Sequence, residues 1–439
     1  MKSGMRLVIG GATLAAVYLL QATPAFTQAP PWAQQQQQRR YYPPQRQQAA
    51  PQAQQQRGPA AHQQAPQQQA QPKQKPEPVP QNTQERAACL NKDTPAAALI
   101  AACTVIIEAG RDKPSVMAAA YFHRGDALRE KGDHDAAIKD LGEAITLDGK
   151  STAYFARGSS YKAKGELDNA IADFDQAIKY DNKNPNYYST RSHALYERRD
   201  YERAVADLTA AIRLNPRNTL TIYNRAMAYR AKGEPDRAVP DFDLVIKATP
   251  NDAYAYHNRG LAYRDMRDYD RAIRDFDSAV KINGSFSAAI NDRGLAYVSK
   301  GETDQAIKDF DLAIQINPKD SLAFNNRGLA YRNKGETDSA INNYDQAILI
   351  SADFALAYYN RGNAYYDKRD YDRAIQDYNQ ALKINPNYAL AYYDRGVVYY
   401  DRHDYEKAVA DLSKAIELDA KDSLAYYNRG ADLSRDGRP

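Results

Sequence analysis

The side chains that most often carry catalysis are scattered in this chain. Its six histidines follow no metal-ligand spacing; they are His62, His123, His134, His193, His257 and His403. Carboxylates recur in pairs, as in Asp309-Phe310-Asp311, but these pairs belong to a solvated helix flank more readily than to a paired-acid site. Glycine recurs after arginine without forming a phosphate-binding loop. We therefore predict no catalytic, cofactor-binding or metal site, and expect that the chain is not an enzyme.

The two cysteines, Cys89 and Cys103, flank a turn at residues 91–95. On one continuous helix they would lie about 21 Å apart, which is too far for a disulfide. If the chain reverses at the turn, two packed helices bring them together, and an isolated cysteine pair in an exported protein usually forms a disulfide. We predict a Cys89–Cys103 disulfide that staples the exposed end of the fold. A redox or metal role is the alternative.

Arginine and aspartate recur in register over the rest of the chain. The arginines are Arg124, Arg157, Arg191, Arg225, Arg259, Arg293, Arg327, Arg361, Arg395 and Arg429. Sixteen residues after each of the first nine stands an aspartate, except after Arg327, where Asn343 takes its place. Because an unpaired buried charge is costly, we predict arginine–aspartate bridges, with Arg327 the weakest. Two independent solvated stripes are the alternative.

Short helices must position these residues. Residues 287–320 contain two amphipathic patterns separated by Gly301, which can end the first helix, and closed by Asn317-Pro318, which ends the second. Such a hairpin is too short to be stable alone. It recurs with a period of 34 residues: a small residue follows each arginine, and an alanine such as Ala306 stands twelve residues later. The small residues predict closely crossing helices.

With this repeat pattern, the chain resembles the tetratricopeptide repeat (TPR) family. If the small residue is given the eighth place, an aromatic residue recurs at the fourth place, tyrosine at the eleventh, alanine at the twentieth, phenylalanine or tyrosine at the twenty-fourth and proline at the thirty-second. The resemblance covers residues 118–439, and the recurring arginine at place seven departs from it. It implies an all-α fold, a right-handed α-solenoid (superhelix) of helix hairpins, with a concave groove that binds peptides or proteins.

The resemblance also implies which residues face that groove. They are Tyr359, Asn363, Tyr366, Tyr393, Tyr400, Tyr427, Arg230, Arg264 and Arg332. We expect a groove that is mixed to basic in the middle units and rich in tyrosine towards the C-terminus, because tyrosine suits recognition. The alternative is that tyrosine is simply the packing residue this sequence favours. The carboxylate-binding pattern of chaperone-binding relatives is missing.

The N-terminal residues have a different character. Residues 1–25 combine Lys2 and Arg6 with an apolar run and small residues near Ala25, which predicts a signal peptide rather than a membrane anchor. Residues 26–84 are rich in Gln and Pro, which predicts a disordered linker. The formal charge is +7 through residue 84 and −3 in the remainder. The basic tail could contact an anionic envelope surface weakly; a solvated tether is the simpler interpretation.

We predict five segments: a signal peptide (1–25), a linker (26–84), a degenerate hairpin cap (85–117), nine repeats (118–422) and a truncated tenth repeat that caps the stack (423–439). The predicted function is a non-enzymatic scaffold, periplasmic or secreted, that binds protein or peptide partners. We expect no nucleic-acid partner and no membrane span after signal cleavage. The alternatives are a glycan- or cell-wall-binding module and a regulatory subunit whose tail makes the contacts.

Overall fold

The computed structural model describes residues 83–91, 93–420 and 423–435. The predicted signal peptide and nearly all of the predicted linker lie outside these residues. The described chain divides into two compact units, one ending at Ala228 and the other starting at Tyr229. Helices account for all of its regular secondary structure, with no strand among the described residues, which confirms the predicted all-α class.

Nine helices begin in the first unit, and the last of them continues past Tyr229. They are α1 (Thr83–Leu90), α2 (Ala96–Ala109), α3 (Pro114–Lys131), α4 (His134–Leu147), α5 (Ser151–Ala163), α6 (Leu167–Tyr180), α7 (Pro185–Glu197), α8 (Tyr201–Leu214) and α9 (Thr219–Lys232).

The second unit continues the same alternation. Its helices are α10 (Pro235–Ala248), α11 (Ala253–Asp265), α12 (Tyr269–Ile282), α13 (Ser287–Lys300), α14 (Thr303–Ile316), α15 (Ser321–Asn333), α16 (Thr337–Ile350), α17 (Ala355–Asp367), α18 (Tyr371–Ile384), α19 (Ala389–Asp401), α20 (Tyr405–Leu418) and α21 (Ser423–Arg435).

Local sequence signals set the hairpin formed by α13 and α14. Helix α13 ends at Gly301, whose φ of 79° is left-handed and whose N–H donates to the carbonyl of Val298 at 3.0 Å. A glycine adopts this conformation without a steric penalty. Helix α14 ends before Asn317, where Pro318 prevents its continuation. The period of the sequence therefore corresponds to hairpins, as predicted.

The recurring small residues let the two helices of a hairpin cross closely. A Cβ atom on Gly294 would lie 2.7 Å from Cε1 of Phe310, so only glycine fits there. Phe310 and the nearby Ala306 are fully buried. A larger residue at Gly294 would have to displace a ring from a close-packed interior. Each unit is thus a solenoid whose core lies between the helices of successive hairpins.

Helices α1 and α2 form the first hairpin, which a disulfide joins. Cys89 and Cys103 are bonded, with their Cα atoms 4.8 Å apart, and both are fully buried. Arg124 Nη1 donates to Thr104 at 3.1 Å, much as Arg225 Nη1 donates to Thr209 at 3.3 Å. Thr104 is therefore equivalent to Thr209, which directly follows the large apolar residue of its second helix. Cys103, which directly precedes Thr104, thus occupies the place of that large apolar residue.

Candidate functional site

The recurring arginine bridges the two helices of its own hairpin. Arg293 donates from Nε and Nη2 to the two carboxylate oxygens of Asp309, at 2.8 and 2.6 Å. The same two-bond pairing joins Arg124 to Asp140, Arg157 to Asp173, Arg191 to Asp207, Arg259 to Asp275, Arg361 to Asp377, and Arg395 to Asp411. Arg327 makes one such bond, from Nε to Oδ1 of Asn343 at 2.7 Å. The predicted pairing is confirmed for these seven arginine–aspartate pairs, and Arg327, with one bond in place of two, is the weakest member as predicted.

The third guanidinium nitrogen of the same arginine binds the preceding hairpin. Arg293 Nη1 lies 2.6 Å from Asp277, which is the second carboxylate of an Asp-Phe-Asp sequence in α12. Equivalent bonds join Arg191 to Asp175, Arg259 to Asp243, Arg327 to Asp311, and Arg361 to Asp345. Sequence reasoning missed this contact, although the same spacing of sixteen residues, counted backwards, was available as a signal. These aspartates, each on the hairpin before the arginine that they bind, thus hold consecutive hairpins together.

Burial shapes the electrostatics of these bridges. Desolvation raises the pKa of Asp275, because the cost of burying the charged carboxylate exceeds what Arg259 regains through hydrogen bonding and charge. Asp309 behaves in the same way. A buried pair of this kind adds little net stability, whereas loss of one partner costs several kcal/mol, about 3–5. The arginines of these bridges are thus structural, because their charges are paired within the fold.

First helices lie on the inner side of each stack. Helix α13 contacts α15, and α15 contacts α17, whereas consecutive second helices of the described chain make no contacts of that extent. A stack whose first helices approach each other more closely than its second helices curves towards the first helices. The candidate binding surface is therefore the exposed face of the first helices.

The three arginines predicted for this surface are all paired. Arg230 lies 2.6 Å from Asp265 of the next first helix, and Arg332 lies 2.5 Å from Asp367 in the same way. Arg264 binds Asp292 at 2.7 Å. Each arginine thus has a carboxylate neighbour, so the basic character expected of these units is offset within the fold.

Asp292 also accepts a hydrogen bond from His257, which is almost fully buried, at 2.7 Å. Burial alone would raise the pKa of the Asp292 carboxyl. Arg264 and His257 outweigh that effect and lower the pKa to about 2. The carboxylate is therefore fixed as an anion between two first helices.

Two of the residues predicted for the groove are packed inside the fold. Tyr359 is only 8% exposed, and its hydroxyl donates to Asp394 at 2.6 Å. Asn363 is 6% exposed and accepts a hydrogen bond from the hydroxyl of Tyr378 at 2.5 Å. Neither side chain offers surface to a partner in this conformation, which corrects the expectation drawn from the resemblance.

The other four tyrosines are more accessible. Tyr366 is half-buried and donates to Asp401 at 2.8 Å. Tyr393 accepts from Asn428 at 2.8 Å, and the ring centroid of Tyr400 lies 5.7 Å from that of a second tyrosine, Tyr405. Tyr427, which is 65% exposed, is the most accessible of the predicted residues. The structure thus places these residues along successive first helices, and the hydroxyls of Tyr366 and Tyr393 are hydrogen-bonded within the fold.

An apolar row lies on the same face and was not identified from the sequence. It consists of Tyr254, Leu322, Leu356 and Leu390, each six residues before the small residue of its hairpin. Tyr254 and Leu322 are 40% and 42% exposed, and Leu356 and Leu390 are partly exposed. Leucine recurring as the second residue of α15, α17 and α19 was the available signal; α11 has Tyr254 and α13 has Ala288 at the same place.

Neither a metal site nor a membrane span is evident in the described part of the chain. No three histidine, cysteine or acidic side chains there are grouped so that they could hold a metal ion. No helix among those residues is both long and apolar enough to cross a bilayer.

Comparisons with known families agree with the hairpin pattern. A family profile described as "TPR repeat" matches residues 158–197, 294–335, 328–368 and 362–402. Profiles described as "Tetratricopeptide repeat" match residues 118–151, 189–253, 253–286 and 389–422. Together these matches span well over half of the chain. The comparison with curated proteins finds no match.

Solved structures of helical-repeat proteins are similar as well. Yeast Tom70 aligns with a TM-score of 0.53 at 15% identity, over 78% of this chain and 86% of that protein. A tetratricopeptide repeat protein from Parabacteroides merdae ATCC 43184 aligns with a TM-score of 0.49 at 19% identity, over 57% and 98% of the two chains. The likeness to Tom70 concerns the fold alone. On the repeat matches and the hairpin geometry together, the chain belongs to the tetratricopeptide repeat family.

Proposed function

We propose that this chain is a non-enzymatic scaffold that binds protein or peptide partners along the first helices of its second unit. The single observation that carries the proposal is the apolar row, which lies beside polar side chains that already have partners within the fold. An exposed apolar row next to a satisfied polar layer favours a partner that contributes apolar side chains. Arg264 and Arg332 are each paired with a carboxylate, so we expect binding to depend little on salt.

Site-specific photocrosslinking tests this surface directly. A photoreactive amino acid is placed at Leu322, which is on a first helix and 42% exposed, or at Leu312, which is on a second helix and 37% exposed. The two positions are matched in residue type and exposure and differ in the face they occupy. We expect protein adducts at Leu322 and few at Leu312 in the native host. Equal labelling at both positions would refute the proposed surface.

A second measurement concerns the chemistry of the partner. Once a crosslinked partner is purified, Leu322→Asp should weaken its binding, because a carboxylate would have to be desolvated. Raising the salt concentration should leave the affinity nearly unchanged. Retention of the chain on purified cell-wall fragments, lost in Tyr254→Ala, would instead support the glycan-binding alternative.

We further propose that the protein is exported and works in the periplasm or outside the cell. The pattern of residues 1–25 and the buried Cys89–Cys103 disulfide support this, since disulfides persist mainly in oxidising compartments. Cell fractionation with mass spectrometry of the intact protein tests it. The exported form should begin after Ala25; a cytoplasmic protein that retains Met1 would exclude it.

A further inference from the structure

One turn between hairpins carries an asparagine–glycine sequence, which the equivalent turns do not. Second helices α12, α14 and α18 each end at an asparagine, namely Asn283, Asn317 and Asn385. Proline follows Asn317 and Asn385, but Gly284 follows Asn283. A proline has no N–H, so its nitrogen is not available as a nucleophile, whereas the Gly284 nitrogen is.

The three turns are otherwise closely matched. The φ and ψ angles are −132° and 93° at Asn283, −129° and 91° at Asn317, and −126° and 91° at Asn385. In each turn the side-chain Oδ1 accepts a hydrogen bond from the N–H two residues later, which belongs to Ser285 at 3.1 Å in the turn of interest. All three asparagines are exposed. The chain therefore contains two internal controls that differ mainly in the residue after the asparagine.

The surroundings of Asn283 favour attack on its side-chain amide. Asn283, Gly284 and Ser285 are all exposed, and nothing lies within 4 Å of where a Cβ of Gly284 would be. The Gly284 N–H has no hydrogen-bond partner within the described chain. The Ser285 N–H points at Oδ1 of Asn283, where negative charge develops when a nucleophile adds to Cγ. A fixed donor at that position stabilises such an intermediate.

We propose that Asn283 is a site of spontaneous deamidation in the folded protein. The Gly284 nitrogen forms a bond to Cγ of Asn283 and loses its proton to solvent; the Cγ–Nδ2 bond breaks, and the side-chain nitrogen takes up a proton from solvent and leaves as ammonia. The resulting succinimide reacts with one water, which opens the ring at either carbonyl. The products are aspartate and isoaspartate at position 283. No oxidant or reductant takes part.

The modification changes the packing beneath the first helices of the second unit. The Phe286 N–H donates to the main-chain carbonyl of Asn283 at 3.0 Å, and Phe286 is 6% exposed. Its ring centroid lies 4.9 Å from those of Tyr254 and His257, which are on the first helix α11. Isoaspartate adds a methylene to the main chain at position 283. It therefore displaces the anchor of Phe286 and loosens the junction between α12 and α13.

Peptide mapping by mass spectrometry of the full, folded chain tests the proposal. The protein is incubated at pH 8, and the peptides containing Asn283, Asn317 and Asn385 are quantified over time. We expect replacement of the amide by a carboxyl at Asn283 and no change at the other two. Gly284→Pro recreates the Asn-Pro turn that already follows three second helices, at Asn215, Asn317 and Asn385, and it should abolish the conversion. Conversion at Asn283 that is no faster than at Asn317, that survives Gly284→Pro, or that occurs only in urea would overturn the proposal.

Discussion

Two buried tyrosines occupy the same place in consecutive hairpins but have different surroundings. Tyr344 packs on Gly328 and Tyr378 on Gly362, and both side chains are almost fully buried. The hydroxyl of Tyr378 donates to Asn363. Among the residues that the structure describes, the buried hydroxyl of Tyr344 has no hydrogen-bond partner, because the residue equivalent to Asn363 is Leu329. A buried polar group without a hydrogen bond is costly.

Removing the two hydroxyls should therefore have opposite effects. We expect Tyr344→Phe to raise the free energy of unfolding by about 1 kcal/mol, because it removes an unsatisfied group. Tyr378→Phe should lower it by a similar amount, because it leaves the amide oxygen of Asn363 unpaired. Urea unfolding followed by circular dichroism measures both. A loss of stability in both variants would contradict this reading of the Tyr344 hydroxyl.

His193 should make stability depend on pH. Burial lowers its pKa from 6.5 to about 3. Between these values the unfolded chain binds a proton that the folded chain does not, so the free energy of unfolding falls as the pH falls. The expected loss between pH 7 and pH 5 is about 2 kcal/mol. Denaturant titrations of wild type and His193→Asn, over that range, measure it.

His193→Asn keeps an acceptor for the amide of Asn224, which lies 3.1 Å from the histidine ring, but it does not titrate. We expect this variant to lose about 2 kcal/mol less than wild type on acidification. Parallel curves for wild type and His193→Asn would disprove the assignment.

At the scale of elements, most turns inside the hairpins are of two types; the turn at Gly132 combines a left-handed glycine with the capping Asp133. In one type a glycine such as Gly301 takes the left-handed conformation, and Glu302, the residue after it, makes no side-chain cap. In the other type Arg199, Arg267, Arg369 or His403 takes that conformation, with φ near 60°. An aspartate follows each of these four residues and caps the next helix, as Asp268 does by accepting from the N–H of Arg271. A cap offsets about 1 kcal/mol of the backbone strain.

The two turn types can be exchanged to test this balance. Arg267→Gly should raise the free energy of unfolding by about 0.5–1 kcal/mol, because it relieves the strain while Asp268 still caps the helix. Gly301→Arg should lower it by about 1–2 kcal/mol, because Glu302 supplies no cap. Thermal unfolding with matched charge controls at exposed sites measures both shifts. If both substitutions changed the free energy of unfolding in the same direction and by the same amount, a difference between the turn types would be ruled out.

The elements also set how far the sequence alone can lead. The period predicted the hairpins, the close approach at Gly294 and the pairing of Arg293 with Asp309, because each depends on one hairpin. The bond from Arg293 to Asp277 and the burial of Tyr359 depend on how one hairpin stacks on the next. That geometry follows from the packing of side chains on two units together. The apolar row was overlooked for the same reason, since exposure is a property of the stack.

At the scale of the whole molecule, interactions run between neighbours. Within each of the two compact units, a first helix binds its own second helix and the adjacent hairpins, through contacts such as those from Arg293 to Asp277 and Asp309. The stability of such a chain is the sum of the stabilities of its hairpins and of the junctions between them, so a local change affects nearby hairpins most. The disulfide of the first hairpin provides the clearest test of whether a local change stays local.

Reduction of the Cys89–Cys103 bond should loosen the start of the chain and leave distant hairpins intact. The bond closes a loop of 14 residues, for which its removal costs about 3 kcal/mol. Hydrogen exchange should therefore accelerate in α1, α2 and α3, while α13 to α20 keep their protection. Cys89→Ala/Cys103→Ala controls for effects of the reductant and should give the same pattern. Uniform loss of protection across all hairpins would mean that the chain unfolds as one cooperative body, contrary to nearest-neighbour coupling.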